Sequence, residues 1–381
     1  MALKVSARGN VSPFIVMDVL RAANERQAAG ESVLHLEVGQ PGSPAPPAVL
    51  EAGRRALGGP IGYTDAMGIP PLRERIARHY EEIYGVRLPA DRIAVTPGSS
   101  GGFLLSFLAA FDPGDRVALA SPGYPAYRNI LSALGLEAVL LPTEPEDRFQ
   151  PTVAHLEALD TPIEGLIVAS PSNPTGTMLG EAEMRALVGY CREAGIRLIS
   201  DEIYHGITFG APAVTALSLD ESAIVVNSFS KYFAMTGWRL GWLVLPPDLV
   251  RPVECLAQNL FISAMTVSQQ AGIAAFDCRA ELDAVVAGYA RNRAVLLEEL
   301  PKAGFDRLAP ADGAFYVYAD VSRFTNDSPE FCKRLLAETG VAVTPGVDFD
   351  PDRGQRFIRF SFAGTEPEMV EAMRRLRAWI A

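Results

Sequence analysis

Seven short apolar runs, at residues 93–96, 116–120, 138–141, 165–169, 197–200, 223–227 and 240–245, punctuate the middle of the chain, with stretches of helical periodicity between them. Strands that are apolar along their whole length and alternate with helices predict a largely parallel sheet covered on both faces. Ligand-handling groups in such a sheet gather at the carboxyl ends of its strands. Upstream, residues 1–13 read as an irregular arm, and Ser12-Pro13 opens an amphipathic helix through Phe14, Val16, Met17, Leu20 and Ala23 that ends near Gly30. A short strand over 33–38 breaks at the turn cluster 39–44. A helix then spans 46–57, and the loop from Gly62 to Pro70 leads into a helix running towards Tyr84. Beyond residue 250 come a long helical stretch including 280–300, strands near 314–318, 341–344 and 357–361, and a final helix over 366–380. The expected organisation is α/β: a mostly parallel seven-stranded sheet in a large domain, 46–280, and a smaller α+β domain, 281–381, with the arm and first strand of 1–45 contributing to the smaller one.

Composition narrows the chemistry. The 381 residues are 49% hydrophobic, ample for large cores, and carry a net charge of −11. Binding nucleic acid needs clustered positive charge that this balance does not supply, so no nucleic-acid partner is expected. No apolar run reaches the length of a membrane span, and Met1 to Asn10 holds no apolar signal core, so a cytoplasmic protein away from membranes is expected. Four scattered cysteines without a C-x-x-C pair, and four histidines, point to neither a disulfide framework nor a metal site.

Lysine is rare. Only Lys4, Lys231, Lys302 and Lys333 occur among 34 basic residues. Lys231 follows an apolar run within Asn227-Ser228-Phe229-Ser230-Lys231, and Arg239 lies eight residues on. A desolvated amine loses its proton near neutrality and attacks a carbonyl, which a guanidinium does not do. Ser228, Ser230 and the donor fork of Arg239 suit a phosphate monoester. An aldehyde bearing a phosphate satisfies both halves, and pyridoxal 5'-phosphate (PLP) is such a molecule. The plainer alternative is a surface lysine at a strand end with serines in a turn.

The other strand ends add polar groups. The run 93–96 enters Pro97-Gly98-Ser99-Ser100-Gly101-Gly102 and a helix, where exposed amides make an anion site. The same residues read as G-x-S-x-G, the nucleophile elbow of serine hydrolases, with Ser100 as nucleophile and only His155 or His205 available as base. Tyr124 follows the second run as an aromatic on which a planar ring can stack, and Asn173 is held in a loop between two prolines. Asp201-Glu202-Ile203-Tyr204 closes the fifth run with a carboxylate and a phenol. Neither a dinucleotide-binding glycine pattern nor a P-loop is present.

Taken in order, Gly98-Ser99-Ser100, Tyr124, Ser172-Asn173-Pro174-Thr175-Gly176, Asp201-Glu202-Ile203-Tyr204, Ser228-Phe229-Ser230-Lys231 and Arg239 resemble the class I aminotransferases of the fold-type I PLP enzymes. The likeness extends to Gly39-Gln40-Pro41, the segment from Tyr63 to Arg73, Gly313-Ala314-Phe315-Tyr316, Thr344-Pro345-Gly346 and Phe357-Ile358-Arg359-Phe360-Ser361. The resemblance implies a homodimer that moves an amino group between an amino acid and a 2-oxo acid by a ping-pong cycle. In it Lys231 is the Schiff-base lysine and proton shuttle, Asp201 pairs with the ring nitrogen, and Asn173 and Tyr204 face the ring's phenolate oxygen. Tyr124 stacks on the ring, while Gly98, Ser99, Ser100, Ser228, Ser230 and Arg239 form the phosphate cup, completed by Tyr63 of the other subunit. Arg359, with Gly39 and Asn173, takes the substrate carboxylate. Gly101-Gly102 departs from the family's more usual acid–alanine pair. Carbon–sulfur β-lyases of the same fold use the same residues and are the alternative, with the serine hydrolase a remote one. No second arginine for a distal carboxylate is assignable, and Phe14 and Ile15 favour a neutral or apolar substrate side chain.

Overall fold

The chain alternates strand and helix through its centre and closes on helices. α1 (Ile15–Ala28) leads to β1 (Leu34–His35), α2 (Pro47–Leu57) and α3 (Pro70–Tyr84). The central run is β2 (Ile93–Thr96), α4 (Gly98–Ala110), β3 (Arg116–Ser121), α5 (Pro125–Leu134), β4 (Glu137–Pro142), α6 (Val153–Glu157), β5 (Gly165–Ala169), α7 (Glu181–Ala194), β6 (Arg197–Asp201), β7 (Ile224–Ser228) and β8 (Gly241–Val244). Then come α8 (Pro247–Leu260), α9 (Thr266–Ala275), α10 (Arg279–Lys302), β9 (Tyr316–Asp320), α11 (Ser328–Thr339), β10 (Val341–Ala342), β11 (Thr344–Pro345), β12 (Phe357–Ser361) and α12 (Glu366–Ile380). This computed structural model describes residues 3–380; Met1 and Ala2 of the expected arm, and Ala381, lie outside the described residues.

All seven expected strands enter one sheet, in the order β2-β8-β7-β6-β5-β3-β4. β3 to β7 run parallel, whereas β8 is antiparallel to both β7 and β2. Side chains alternate between the faces, as the two-residue period of a strand requires. Leu166, Val168, Val225, Trp242 and Val244 face one core with Leu72, Ile76 and Leu187. Ile167, Ile224, Val226 and Leu243 face the other with Phe103, Phe107 and Val253. Burial on both faces is why these strands are apolar without a break.

A separate core gathers the carboxyl-terminal elements around the sheet β11-β12-β9 and the helices α10, α11 and α12. β1 pairs in parallel with β10, and Ser361 N–H donates to the Leu36 carbonyl at 2.7 Å, so the amino-terminal strand packs with the end of the chain. Four local expectations change. α1 starts at Ile15 rather than at Ser12-Pro13, because its first amides are capped by the distant Asp348. The strand over 33–38 shrinks to β1. The strand near 314 starts at Tyr316, since Ala314 adopts a left-handed φ of 55° that cannot continue a ladder. The run 341–344 splits into β10 and β11, which join different sheets.

Gly241 is where the antiparallel β8 meets the start of α4. A Cβ there would lie 2.8 Å from the Gly98 carbonyl carbon, 2.9 Å from the Asn227 oxygen and 2.9 Å from the Ser99 nitrogen, all backbone. Gly241→Ala is therefore expected to cost about 1–3 kcal/mol of stability, the usual range for overpacking. A lowered denaturation midpoint by circular dichroism checks it.

Candidate active site

A cavity of about 170 Å3 opens at the carboxyl ends of β3, β5, β6 and β7, which deliver Tyr124, Asn173, Asp201 and Lys231 to its wall. Lys231 follows β7, and its ammonium donates to the Gly39 carbonyl. The rings of Tyr204 and Phe315 lie 5.6 and 5.9 Å from its nitrogen. Burial, then the positive charges of Arg359 and Arg239, bring the amine down to about 8, with Asp201 opposing. Among the described residues this amine has no carboxylate within ion-pairing distance, which keeps its neutral, nucleophilic form accessible near neutrality.

Asp201 ends β6. Its carboxylate accepts from the Tyr127 hydroxyl and, at 3.0 Å, from the Ile203 amide. Burial pushes it up to about 6, while those two donors and Lys231 pull it down. Its neighbour Glu202 points away, accepting from the Ser200 and Thr215 hydroxyls and the Ala216 amide, and burial raises it to about 8. Of two adjacent acids, only Asp201 faces the cavity.

The opposite end is built for an anion. α4 begins at Gly98, and a Cβ on that residue would lie 2.4 Å from Arg239 Nη2, so the guanidinium packs directly against the helix start. Ser99, Ser100, Ser230 and Thr236 join Arg239 on the wall. Amide donors, hydroxyls and a guanidinium together favour phosphate. Ser228 stands one layer back, its hydroxyl donating to Ser230 at 2.9 Å.

Between the two ends, Tyr124 presents its ring, in edge contact with Phe14 at 5.7 Å and Tyr127 at 5.3 Å. The Asn173 side-chain oxygen accepts from Arg359 at 2.7 Å, which leaves its amide hydrogens to donate elsewhere. Tyr204 and Tyr316 share a hydroxyl–hydroxyl bond of 2.7 Å. Arg359 is buried between the rings of Tyr316 and Phe349, at 4.3 and 4.7 Å, and also donates to the Glu37 carbonyl and the Thr344 hydroxyl. Its Nε has no partner. Gly39 touches Tyr316 so closely that a Cβ would fall 1.9 Å from the phenol oxygen. Phe14, Val16, Met17 and Val38 make the apolar side.

The cavity thus gathers Lys231, Asp201, Tyr204, Tyr124, Asn173, Ser99, Ser100, Ser230, Arg239, Arg359 and Gly39. Gly98 and Ser228 support it from behind, Ile15 is not on its wall, and Tyr63 is 84% exposed outside it. Tyr127, Tyr316 and Thr236 are wall residues that pattern reading misses. The signal for Tyr127 is its place three residues after Tyr124, where a helix start turns both to one side. The hydrolase arrangement is not assembled. Ser100 lies in the first turn of α4 without the left-handed backbone of an elbow, His155 bonds Thr152, and His205 bonds Tyr84 and the Ser170 carbonyl.

A buried acid at one end, an anion cup at the other, an aromatic wall and a low-pKa amine between them fit a pyridine aldehyde phosphate. The model for aminotransferases of class I and II matches residues 31–376. The chain belongs to this aminotransferase family. Class I and II aminotransferases depend on PLP, and this chain has their fold-type I architecture. It is 52% identical to a valine–pyruvate aminotransferase from Mycobacterium tuberculosis over 385 residues, covering all of this chain and 99% of that one. It is 34% identical to a (5-formylfuran-3-yl)methyl phosphate transaminase from Methanocaldococcus jannaschii, covering 97% and 98%. A crystal structure of an aminotransferase from M. tuberculosis superposes with a TM-score of 0.98 at 52% identity, covering 100% and 99%. The aspartate aminotransferase from Thermus thermophilus with maleate gives 0.93 at 31% identity, covering both chains completely.

In the cofactor-free aminotransferase the Lys231 amine is expected to become reactive above about pH 8, well below the ordinary lysine value of 10.5. Removing a neighbouring cation favours the protonated form, so Arg359→Leu moves that midpoint upward. The pH dependence of labelling at Lys231 by an amine-directed reagent, read by peptide mass spectrometry, measures both.

Proposed function

We propose that this chain is a PLP-dependent aminotransferase that takes its nitrogen from a neutral, apolar amino acid of the valine type and passes it to a short 2-oxo acid. The observation that carries the reading is the Lys231 amine, set between the Asp201 carboxylate and the Arg239 cup, with Arg359 and the apolar residues of α1 on the substrate side. When bound, PLP supplies an electron sink that makes the Cα–H bond of an attached amino acid acidic.

The protein's own groups do the rest. The Lys231 amine would hold the cofactor's aldehyde end and would hold or move the proton at the substrate Cα. Asp201, oriented by Tyr127 and Ile203, would take the pyridine nitrogen of the cofactor and favour its protonated form. Asn173 and Tyr204 would donate to the ring oxygen, Tyr124 would cover the ring face, and Ser99, Ser100, Ser230 and Arg239 would hold the phosphate. Arg359, with its plane fixed by Tyr316 and Phe349, grips the α-carboxylate and so aligns Cα–H with the Lys231 amine.

Two facts support the apolar side chain. Phe14, Val16, Met17 and Val38 form that wall, and among the described residues the only arginines on the cavity are Arg239 and Arg359. The 52% relative is named for valine and pyruvate, whereas the Thermus relative named for aspartate is 31% identical. The lyase alternative is not favoured, because the relatives reported above carry transaminase names.

A homodimer completes the reading. Leu57, Ile61, Tyr63, Leu260, Ile262 and Met265 are exposed on two segments tied by the Thr266 hydroxyl donating to the Gly62 carbonyl and by Thr64 N–H donating to Ser263. Contiguous exposed apolar surface marks an interaction face. Phe261, in the same segment, lies 3.8 Å from where a Gly101 Cβ would be, so this face borders the phosphate cup. A two-fold partner would bring its own Tyr63 to that cup.

Lys231→Ala is expected to lower turnover by about 10³-fold or more while leaving the circular dichroism spectrum unchanged. A donor panel with pyruvate should give a higher kcat/KM for valine than for aspartate, and the reverse order overturns the substrate assignment. Co-refolding Lys231→Ala with Tyr63→Ala chains should restore activity in proportion to the mixed dimer, because one of its two sites then has both native residues. No recovery means that Tyr63 serves its own chain.

A further inference from the structure

We propose that Asp348 is a positioning residue that sets which substrate side chains are accepted, by holding the first turn of α1 across the cavity mouth. Asp348 ends the short 3-10 turn Gly346–Asp348, directly after β11. No neighbouring side chain caps α1. Instead the Asp348 carboxylate accepts from Ile15 N–H and Val16 N–H, one on each oxygen, both at 3.1 Å, across more than 330 residues of sequence. The turn so held carries three apolar groups of the cavity, Phe14, Val16 and Met17. Asp348 is itself fully buried, with Arg128 and Arg359 the cations facing it.

The turn bearing Asp348 is fixed from the other side as well. Arg128 donates to the Asp348 carbonyl, and Gly123 N–H donates to the Phe349 carbonyl at 3.0 Å. Those two residues flank Tyr124, whose ring meets Phe14 edge-on. Phe349 stacks on the Arg359 guanidinium at 4.7 Å. One turn therefore touches both the carboxylate grip and the apolar wall. The separation between them is set by two adjacent residues, Asp348 and Phe349, rather than by how two larger bodies pack. A substrate whose side chain reaches the wall senses that separation, whereas one with a single methyl group has little to lose when the wall loosens.

The proposal rests on the apolar-donor reading above, and its test separates the two. In the PLP-loaded enzyme Asp348→Ala is expected to raise KM for valine about five- to tenfold, the size of a lost helix cap, with KM for alanine and kcat for both donors within about twofold of wild type. Asp348→Asn keeps an oxygen for one of the two amides and should recover part of the valine KM. Hydrogen exchange should show the Ile15 and Val16 amides losing protection in Asp348→Ala and regaining some in Asp348→Asn. In a double-mutant cycle, Phe14→Ala should change the valine-to-alanine preference less in the Asp348→Ala background than in wild type. Equal losses for valine and alanine in both variants, or unchanged exchange at Ile15 and Val16, overturn the proposal. A wild-type enzyme that prefers aspartate to valine overturns the substrate assignment instead, and the amide exchange then decides the role of Asp348 alone.

Discussion

A buried guanidinium with no carboxylate partner has to be satisfied by dipoles and ring faces, and Arg359 meets that demand by reaching into several elements at once. Its donors go to Asn173 after β5, to the Glu37 carbonyl after β1 and to Thr344 in β11, while Tyr316 and Phe349 cover its two faces. These contacts hold the two sides of the cavity together. They also leave Nε without a partner inside the protein, the condition under which a substrate carboxylate gains most from binding there. The charge that anchors the architecture thus keeps one donor facing no protein partner.

The same economy appears along β6. Asp201 is the last residue of β6 and Glu202 the first beyond it, and the two acids, chemically almost equivalent, enter different surroundings. Asp201 meets Tyr127, Ile203 and the cavity, whereas Glu202 is enclosed by Ser200, Thr215 and Ala216. Burial raises both, yet only Asp201 stands within the field of Lys231. Across the cavity, Arg359 and Arg239 act on Lys231 in the direction that burial already favours. The acid and the amine are tuned by shared surroundings more than by direct pairing.

Much of this is legible before folding. The seven runs stand out because burial on both faces leaves no polar alternation to blur them, and Lys231, Asp201, Asn173 and Arg359 sit in local patterns that travel together in a family. What escapes reading depends on partners distant in sequence. The start of α1 is set by Asp348, 333 positions from Ile15, so the nearby Ser12-Pro13 misleads. The late start of β9 follows from a left-handed alanine, Ala314, and alanine carries no turn signal of its own. Tyr127 and Phe349 matter through Asp201 and Arg359, and nothing in their own flanking residues says so.

The antiparallel direction of β8 has a further consequence. Because β7 and β8 are adjacent and run in opposite senses, the twelve residues 229–240 between them form a loop whose two ends are fixed side by side in the sheet. The loop is braced across its neck and within by Phe229 N–H donating to the Leu240 carbonyl and Met235 N–H donating to the Phe229 carbonyl. Lys231 and Arg239 stand near its opposite ends. The span between the Lys231 amine and the Arg239 guanidinium is thus gauged by one braced loop, and lengthening it by a single residue would displace both together.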